Sequence, residues 1–322
     1  MIQAVAAPLA GAVAERRAAE PVVVVEKLSR RFGSKTALHE VDLTVERGTV
    51  IGLVGKNGAG KTTLIQHLLG LLRAQRGRVR VFGLDPVAEP AAVLGRIGYL
   101  AEERGLPGWM TVGELMRYTA AFYPGWDASY ATHLCDDFRL DPRQKIRTLS
   151  RGQHARAALV AALAHRPELL LLDEPSSGLD PVVRRDVLEA ILHTVAEEGR
   201  TVLFSSHLLD EVERMSDRLA LVDGGRILLA GSLEEIRERH WRITVRASAA
   251  VDEVVRRLAA PGASPHSVLA VRGALGEQTL ICDGDREALA AELQRAGCEV
   301  LAFSSASLDE IFFARTGSDE EP

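Results

Sequence analysis

At 322 residues, 47% hydrophobic and 26% charged, the chain is long enough for one large or two ordinary domains with a substantial core, and its composition excludes disordered and fibrous classes. Its 39 Lys and Arg against 44 Asp and Glu give a net charge of -5, so nothing draws it to a phosphate backbone and nucleic acid is not an expected partner. Cys135, Cys282 and Cys298 lie far apart with no C-x-x-C pair, which argues against a disulfide scaffold or a zinc site and for a reducing compartment. The longest apolar run, residues 157–164, is closed by Arg156 and His165, well short of the roughly 18 residues that a spanning helix needs.

In chain order, residues 1–20 are expected to form a frayed tail; Ala12-Val13-Ala14 is only faintly like a signal cleavage site and lacks a basic start. The β-branched run at 22–25, the alternation at 41–45 and the apolar run at 49–54 predict opening strands. Helical periodicity begins after Gly60, and strands recur between helices at 78–82, 96–100, 169–173, 201–205, 218–222 and 226–229. Between Thr111 and His165 the pattern is wholly helical, so an α/β core over 21–240 with a helical insertion at about 104–165 is expected. A short helix then ends near His240, and strands at 241–247, 267–271, 278–282 and 299–303 alternate with helices around 251–258, at Leu289 and Leu293, and at 308–314. That β-α-β-β-α-β order predicts a small ferredoxin-like α+β domain over 241–316, followed by an acidic tail at 317–322.

The segment Gly55-Lys56-Asn57-Gly58-Ala59-Gly60-Lys61-Thr62-Thr63 follows an apolar strand and opens a helix, the context that a phosphate-binding loop requires. Glycines let backbone N–H groups turn around an anion, and a helix N-terminus adds partial positive charge. Lys61 is expected to reach the β- and γ-phosphates, and Thr62 to offer its hydroxyl to Mg²⁺. Downstream, Leu169-Leu170-Leu171-Leu172-Asp173-Glu174 is an apolar strand that ends in two acids. Asp173 is then the expected Mg²⁺ partner through water, and Glu174 the carboxylate that polarises the attacking water.

With these residues in place, the chain resembles the nucleotide-binding domain of the ATP-binding cassette (ABC) family over about residues 22–231. Leu149-Ser150-Arg151-Gly152-Gln153 is similar to that family's L-S-G-G-Q signature, Ser177-Gly178-Leu179-Asp180 to its D-loop, and Ser206-His207 to its switch histidine. The resemblance implies a P-loop NTPase core of the ABC type, with ATP and Mg²⁺ as cofactors. Phe32 would stack on adenine or be a core residue at a strand end, and His207 would touch the γ-phosphate beside Glu174. Ser150 and Gly152, with Gln153 and Asp180, would contact ATP held by the loop of another domain, so a second copy or a paralogous domain is implied. Two departures stand out: Glu102 takes the place of the usual metal-binding glutamine, and Arg151 replaces the first glycine of the signature pair.

The resemblance also implies a separately encoded transmembrane partner, whose helix would dock on the insertion near Trp109, Phe122, Tyr123 and Trp126, unless these residues pack the helical subdomain instead. Ser307-Leu308-Asp309-Glu310-Ile311-Phe312 is similar to the ending of export subunits. The implied role is thus ATP-driven export from the cytoplasmic face of the membrane. A soluble member of the same superfamily with a non-transport role is the alternative. The C-terminal domain is expected to pair its sheet face or edge with its copy.

Overall fold

The computed structural model describes residues 21–103, 105–258, 266–273 and 276–317. The expected tail over 1–20, and all but Gly317 of the one over 317–322, lie outside the described residues. Strands β1 (Val23–Phe32) and β2 (Lys35–Val45) form an antiparallel hairpin. Both run further than the apolar pattern predicts. The outer half of β1 carries Glu26, Lys27, Arg30 and Arg31, and register shifts between Val25 and Arg31 break the alternation on which a strand prediction relies. Strand β3 (Val50–Val54), wholly buried, leads into helix α1 (Lys61–Leu68); β4 (Arg76–Val81) returns to complete the three-stranded sheet β2-β1-β4.

Helix α2 (Pro90–Leu94) and strand β5 (Ile97–Leu100) precede the helical insertion, built from α3 (Val112–Ala120), α4 (Ala128–Asp137) and α5 (Arg151–Leu163). Capping boxes start α3 at Thr111 and α5 at Ser150, and the Asp127 side chain caps α4. The expected aromatic group divides here. Trp109 and Phe122 are 70% and 63% exposed, whereas Tyr123 stacks on His165 with ring centroids 3.8 Å apart and Trp126 packs against the core.

Strand β6 (Leu169–Leu172), helix α6 (Pro181–Glu198), strand β7 (Thr201–Ser206), helix α7 (Leu209–Met215) and strands β8 (Arg218–Asp223) and β9 (Arg226–Ser232) complete a six-stranded sheet of order β5-β6-β7-β3-β8-β9. All neighbours are parallel except β9, which pairs antiparallel with β8 at one edge. Continuous apolar strands suit a parallel sheet covered on both faces. Alternate residues serve two cores: Ile51, Leu53, Leu169, Leu171 and Leu203 face the hairpin sheet and α1, while Val50, Leu170, Leu172, Val202 and Phe204 face α5, α6 and α7.

Helix α8 (Leu233–Arg239) connects to β10 (His240–Arg246), α9 (Ala249–Leu258), β11 (Ser267–Arg272), β12 (Glu277–Asp283), α10 (Arg286–Arg295), β13 (Val300–Ser305) and α11 (Leu308–Thr316). The four strands form an antiparallel sheet of order β11-β12-β10-β13. One face buries Ile243, Val245, Leu280 and Cys282 against Val251, Val254, Leu289 and Leu293 of α9 and α10. On the other, Leu308, Ile311 and Phe312 of α11 pack with Ile281 and with Leu219, Leu233 and Ile236 of the larger unit. Of the two expected surfaces for pairing with a second copy, the sheet face and the sheet edge, the face is covered by α11 beside β11 and β12. Arg242 and Glu310 pair there at 3.3 Å.

Ile311 is 1% exposed in this shared core. Ile311→Ala is expected to lower the unfolding free energy by about 2–4 kcal/mol, seen as a lower urea midpoint for the full chain. An unshifted midpoint would contradict the packing of α11.

Candidate functional site

The glycine-rich loop begins where β3 ends, at the carboxyl edge of the six-stranded sheet, the place where open α/β sheets hold ligands. Gly60, the cap of α1, has φ 114, and a Cβ there would lie 2.6 Å from Ala37 O. Only glycine fits that combination of left-handed backbone and close approach. Lys61 is 5% exposed; its Nζ donates to Gly55 O at 2.6 Å and pairs with Glu174 Oε1 at 3.0 Å. Beside this loop opens a cleft of about 400 Å³ lined by Phe32, Lys35, Ala37, Asn57, Gly58, Gly60, Lys61, Thr62, Thr63, Glu102 and Glu174.

The two acids after β6 are 1% and 4% exposed, for Asp173 and Glu174 respectively. Ser205 Oγ, from β7, donates to Asp173 Oδ1 at 2.6 Å and accepts from Glu174 N at 2.8 Å. Glu174 has φ 46, a conformation unfavourable to a side chain with a Cβ that persists only when its surroundings enforce it. Its Oε2 lies 2.8 Å from His207 Nδ1. One carboxylate is thus gripped by a lysine from α1 and a histidine from the end of β7. The charge of Asp173 reaches the neighbouring strand: burial, aided by Asp173, pushes the Tyr99 hydroxyl up to about 12.

Phe32 stands at the end of β1 and is 45% exposed, so it is no core residue; the Arg30 guanidinium lies 4.7 Å from its ring centroid. Gly55 and Ala59 build the loop from behind: a Cβ on Gly55 would collide with Val222 O, and Ala59 N donates to Lys56 O at 3.1 Å. Ser150, Gly152, Gln153 and Asp180 are not brought to this cleft. Ser150 Oγ accepts from Gln153 N at 3.2 Å, and Gln153 Oε1 accepts from Ser150 N at 3.0 Å, which caps α5. Gly152 is buried against Val183, which a Cβ would overlap. Asp180 Oδ1 accepts from Val182 N and Val183 N at 3.2 and 3.1 Å, capping α6. Arg151 reaches Gly178 O at 3.5 Å.

Sequence reasoning missed Lys35 and Ala37, which arrive from the hairpin only through tertiary packing, and Ser205, which no motif marks. The Ser205-Ser206 pair ahead of His207 was the only available signal.

A strand-to-helix glycine loop with a buried lysine, facing two acids at the end of a neighbouring parallel strand, defines a P-loop nucleoside triphosphatase. Residues 38–177 match the ABC transporter family model. The chain is 34% identical over 322 residues to the daunorubicin resistance ATP-binding protein DrrA3 of Streptomyces coeruleorubidus, covering 94% of this chain and 98% of that protein. It is similar to the solved ATP-binding subunit of an ABC transporter, with 30% identity, TM-score 0.61, and coverage of 67% of this chain and 92% of that one. A dimeric ATP-binding cassette in a post-hydrolysis state with ADP and Pi shares the fold at 22% identity and TM-score 0.59, over 66% of this chain and 98% of its own. The chain belongs to the ATP-binding, ATP-hydrolysing subunits of ABC transporters.

Ser205→Ala removes both bonds that fix the two acids and leaves Asp173 Oδ1 and Glu174 N short of a buried partner. A loss of about 1–3 kcal/mol in stability is expected, measurable by urea unfolding.

Proposed function

We propose that the cleft binds ATP with Mg²⁺ and hydrolyses it, and that the chain pairs head to tail with a second copy or a paralogous domain to drive export through a separately encoded transmembrane subunit. The observation that carries the reading is Glu174 held between Lys61 and His207 at 3.0 and 2.8 Å. Lys61 binds the β- and γ-phosphates; the triphosphate replaces Glu174 as its counter-charge and frees that carboxylate to accept a proton from water. His207, 41% exposed and anchored through Nδ1 to Glu174, bonds the γ-phosphate. Asn57, Gly58, Ala59, Gly60 and Thr63 surround the phosphates, and the exposed ring of Phe32 offers a stacking face to adenine.

The donors fit a small hard cation. Thr62 and Glu102 line the cleft and Asp173 lies beside it, while among the described residues no group of three His, Cys, Asp or Glu could hold a metal alone. Magnesium is commonly bound in that way, by one or two carboxylates and a hydroxyl together with substrate phosphates and water. When bound, Mg²⁺ neutralises charge developing on the phosphates.

Ser150, Gly152, Gln153 and Asp180 lie outside the lining of their own cleft, at the starts of α5 and α6, which supports a role toward nucleotide held by the other domain. The dimeric cassette of the same fold supports that pairing. Residues 21–240 form the nucleotide-binding unit and residues 241–316 the accessory unit. We place the chain at the cytoplasmic face, attached through the transmembrane partner; among the described residues no helix is long and apolar enough to cross a membrane. Export is supported by the resistance role in the relative's name.

Glu174→Gln is expected to lower kcat about 100-fold or more while ATP binding persists, and to accumulate an ATP-dependent dimer. Phosphate release and light scattering check both. Turnover equal to the parent's would refute the assignment.

A further inference from the structure

A third buried carboxylate ties together the two loops that hold Glu174 and His207. Glu211, in the first turn of α7, is 2% exposed. Its Oε1 accepts from Ser176 Oγ at 2.6 Å, and its Oε2 accepts from Ser206 Oγ at 2.6 Å. Ser176 is two residues past Glu174, and Ser206 directly precedes His207. Ser206 Oγ also accepts from Leu208 N at 3.0 Å, so bonds on either side of His207 converge on one hydroxyl. Arg184 of α6 brings Nε to 3.6 Å from Glu211 Oε1, close enough for charge attraction but too long for a hydrogen bond.

A carboxylate this far from water is destabilising unless its oxygens are bonded, and a leucine would fill the space without that penalty. What the carboxylate adds is geometry. Two charge-assisted bonds from separate loops fix the spacing between them more tightly than apolar packing does. Glu174 sits in the left-handed region and needs such enforcement, and its contact with His207 is made by the same two loops.

We propose that Glu211 is a positioning residue for ATP hydrolysis, clasping the turn after Glu174 to the residue before His207 and so holding the Glu174–His207 contact in line. The inference rests on the assignment of Glu174 and His207 made above. It also gives the turn that leads to Asp180 and α6 a mechanical link to the histidine loop.

Steady-state ATPase and separate ATP-binding measurements on the full chain test it. Glu211→Ala is expected to lower kcat about tenfold or more while the Kd for ATP stays within about twofold, the split left by a group that acts after binding. Glu211→Gln keeps one acceptor and gains a donor, and is expected to recover most of the lost kcat. Combined with His207→Ala, Glu211→Ala is expected to add little further loss, because both act on one step. A group that only stabilises the fold would lower the melting temperature without this coupling. Should Glu211→Ala fail to fold, Glu211→Leu removes both acceptors while filling the space and leaving no buried charge, with the same loss of kcat expected.

Parental kcat in the folded Glu211→Ala variant or in Glu211→Leu overturns the proposal, as do losses that multiply with His207→Ala. Retained turnover in Glu174→Gln would instead remove the catalytic assignment and this inference with it, so the two failures are distinguishable.

Discussion

Lys61 and Glu174 are each 5% exposed with their charges 3.0 Å apart, so each offsets the cost of burying the other. Removing one member of such a pair costs about 3–5 kcal/mol, because it strands the other charge. This mutual dependence fixes the start of α1 against the end of β6 before any nucleotide arrives. It leaves the lysine desolvated and aimed over the loop, where a polyphosphate can take over as its partner.

The six-stranded sheet makes the pairing possible. β3, β6 and β7 are parallel neighbours in space though far apart in sequence, so their carboxyl ends bring the glycine loop, the two acids and Ser205-Ser206-His207 to one edge. Ser205 joins β7 to both acids, and Glu211 joins the next serine to the turn beyond them. The result is a row of buried hydrogen bonds across adjacent strand ends. Such a row holds catalytic groups in place only when every member is satisfied.

Much of this was legible in the sequence because it is local. Four leucines in β6 and five buried residues in β3 announce central strands, and the glycine loop and paired acids are contiguous. What escaped is what tertiary packing supplies. The outer half of β1 is hidden by Glu26, Lys27, Arg30 and Arg31, whose charges spoil the apolar pattern. Lys35 and Ala37 join the cleft only because the hairpin folds beside α1. The grouping of Trp109, Phe122, Tyr123 and Trp126 was visible, but not that His165, more than forty residues downstream of Tyr123, would take one ring out of any surface. Glu211 carries no motif of its own, and Ser176 and Ser206 reach it only in the fold.

The placement of α11 bears on how the protein is made. Leu219, Leu233 and Ile236 are buried beside Leu308, Ile311 and Phe312, yet α11 comes about 70 residues after α8. At roughly 5–20 residues per second, the ribosome leaves that apolar patch uncovered for several seconds after the larger unit has been synthesised. During that interval the nascent chain carries a site where chaperones or neighbouring chains can bind, and synthesis of α11 closes it.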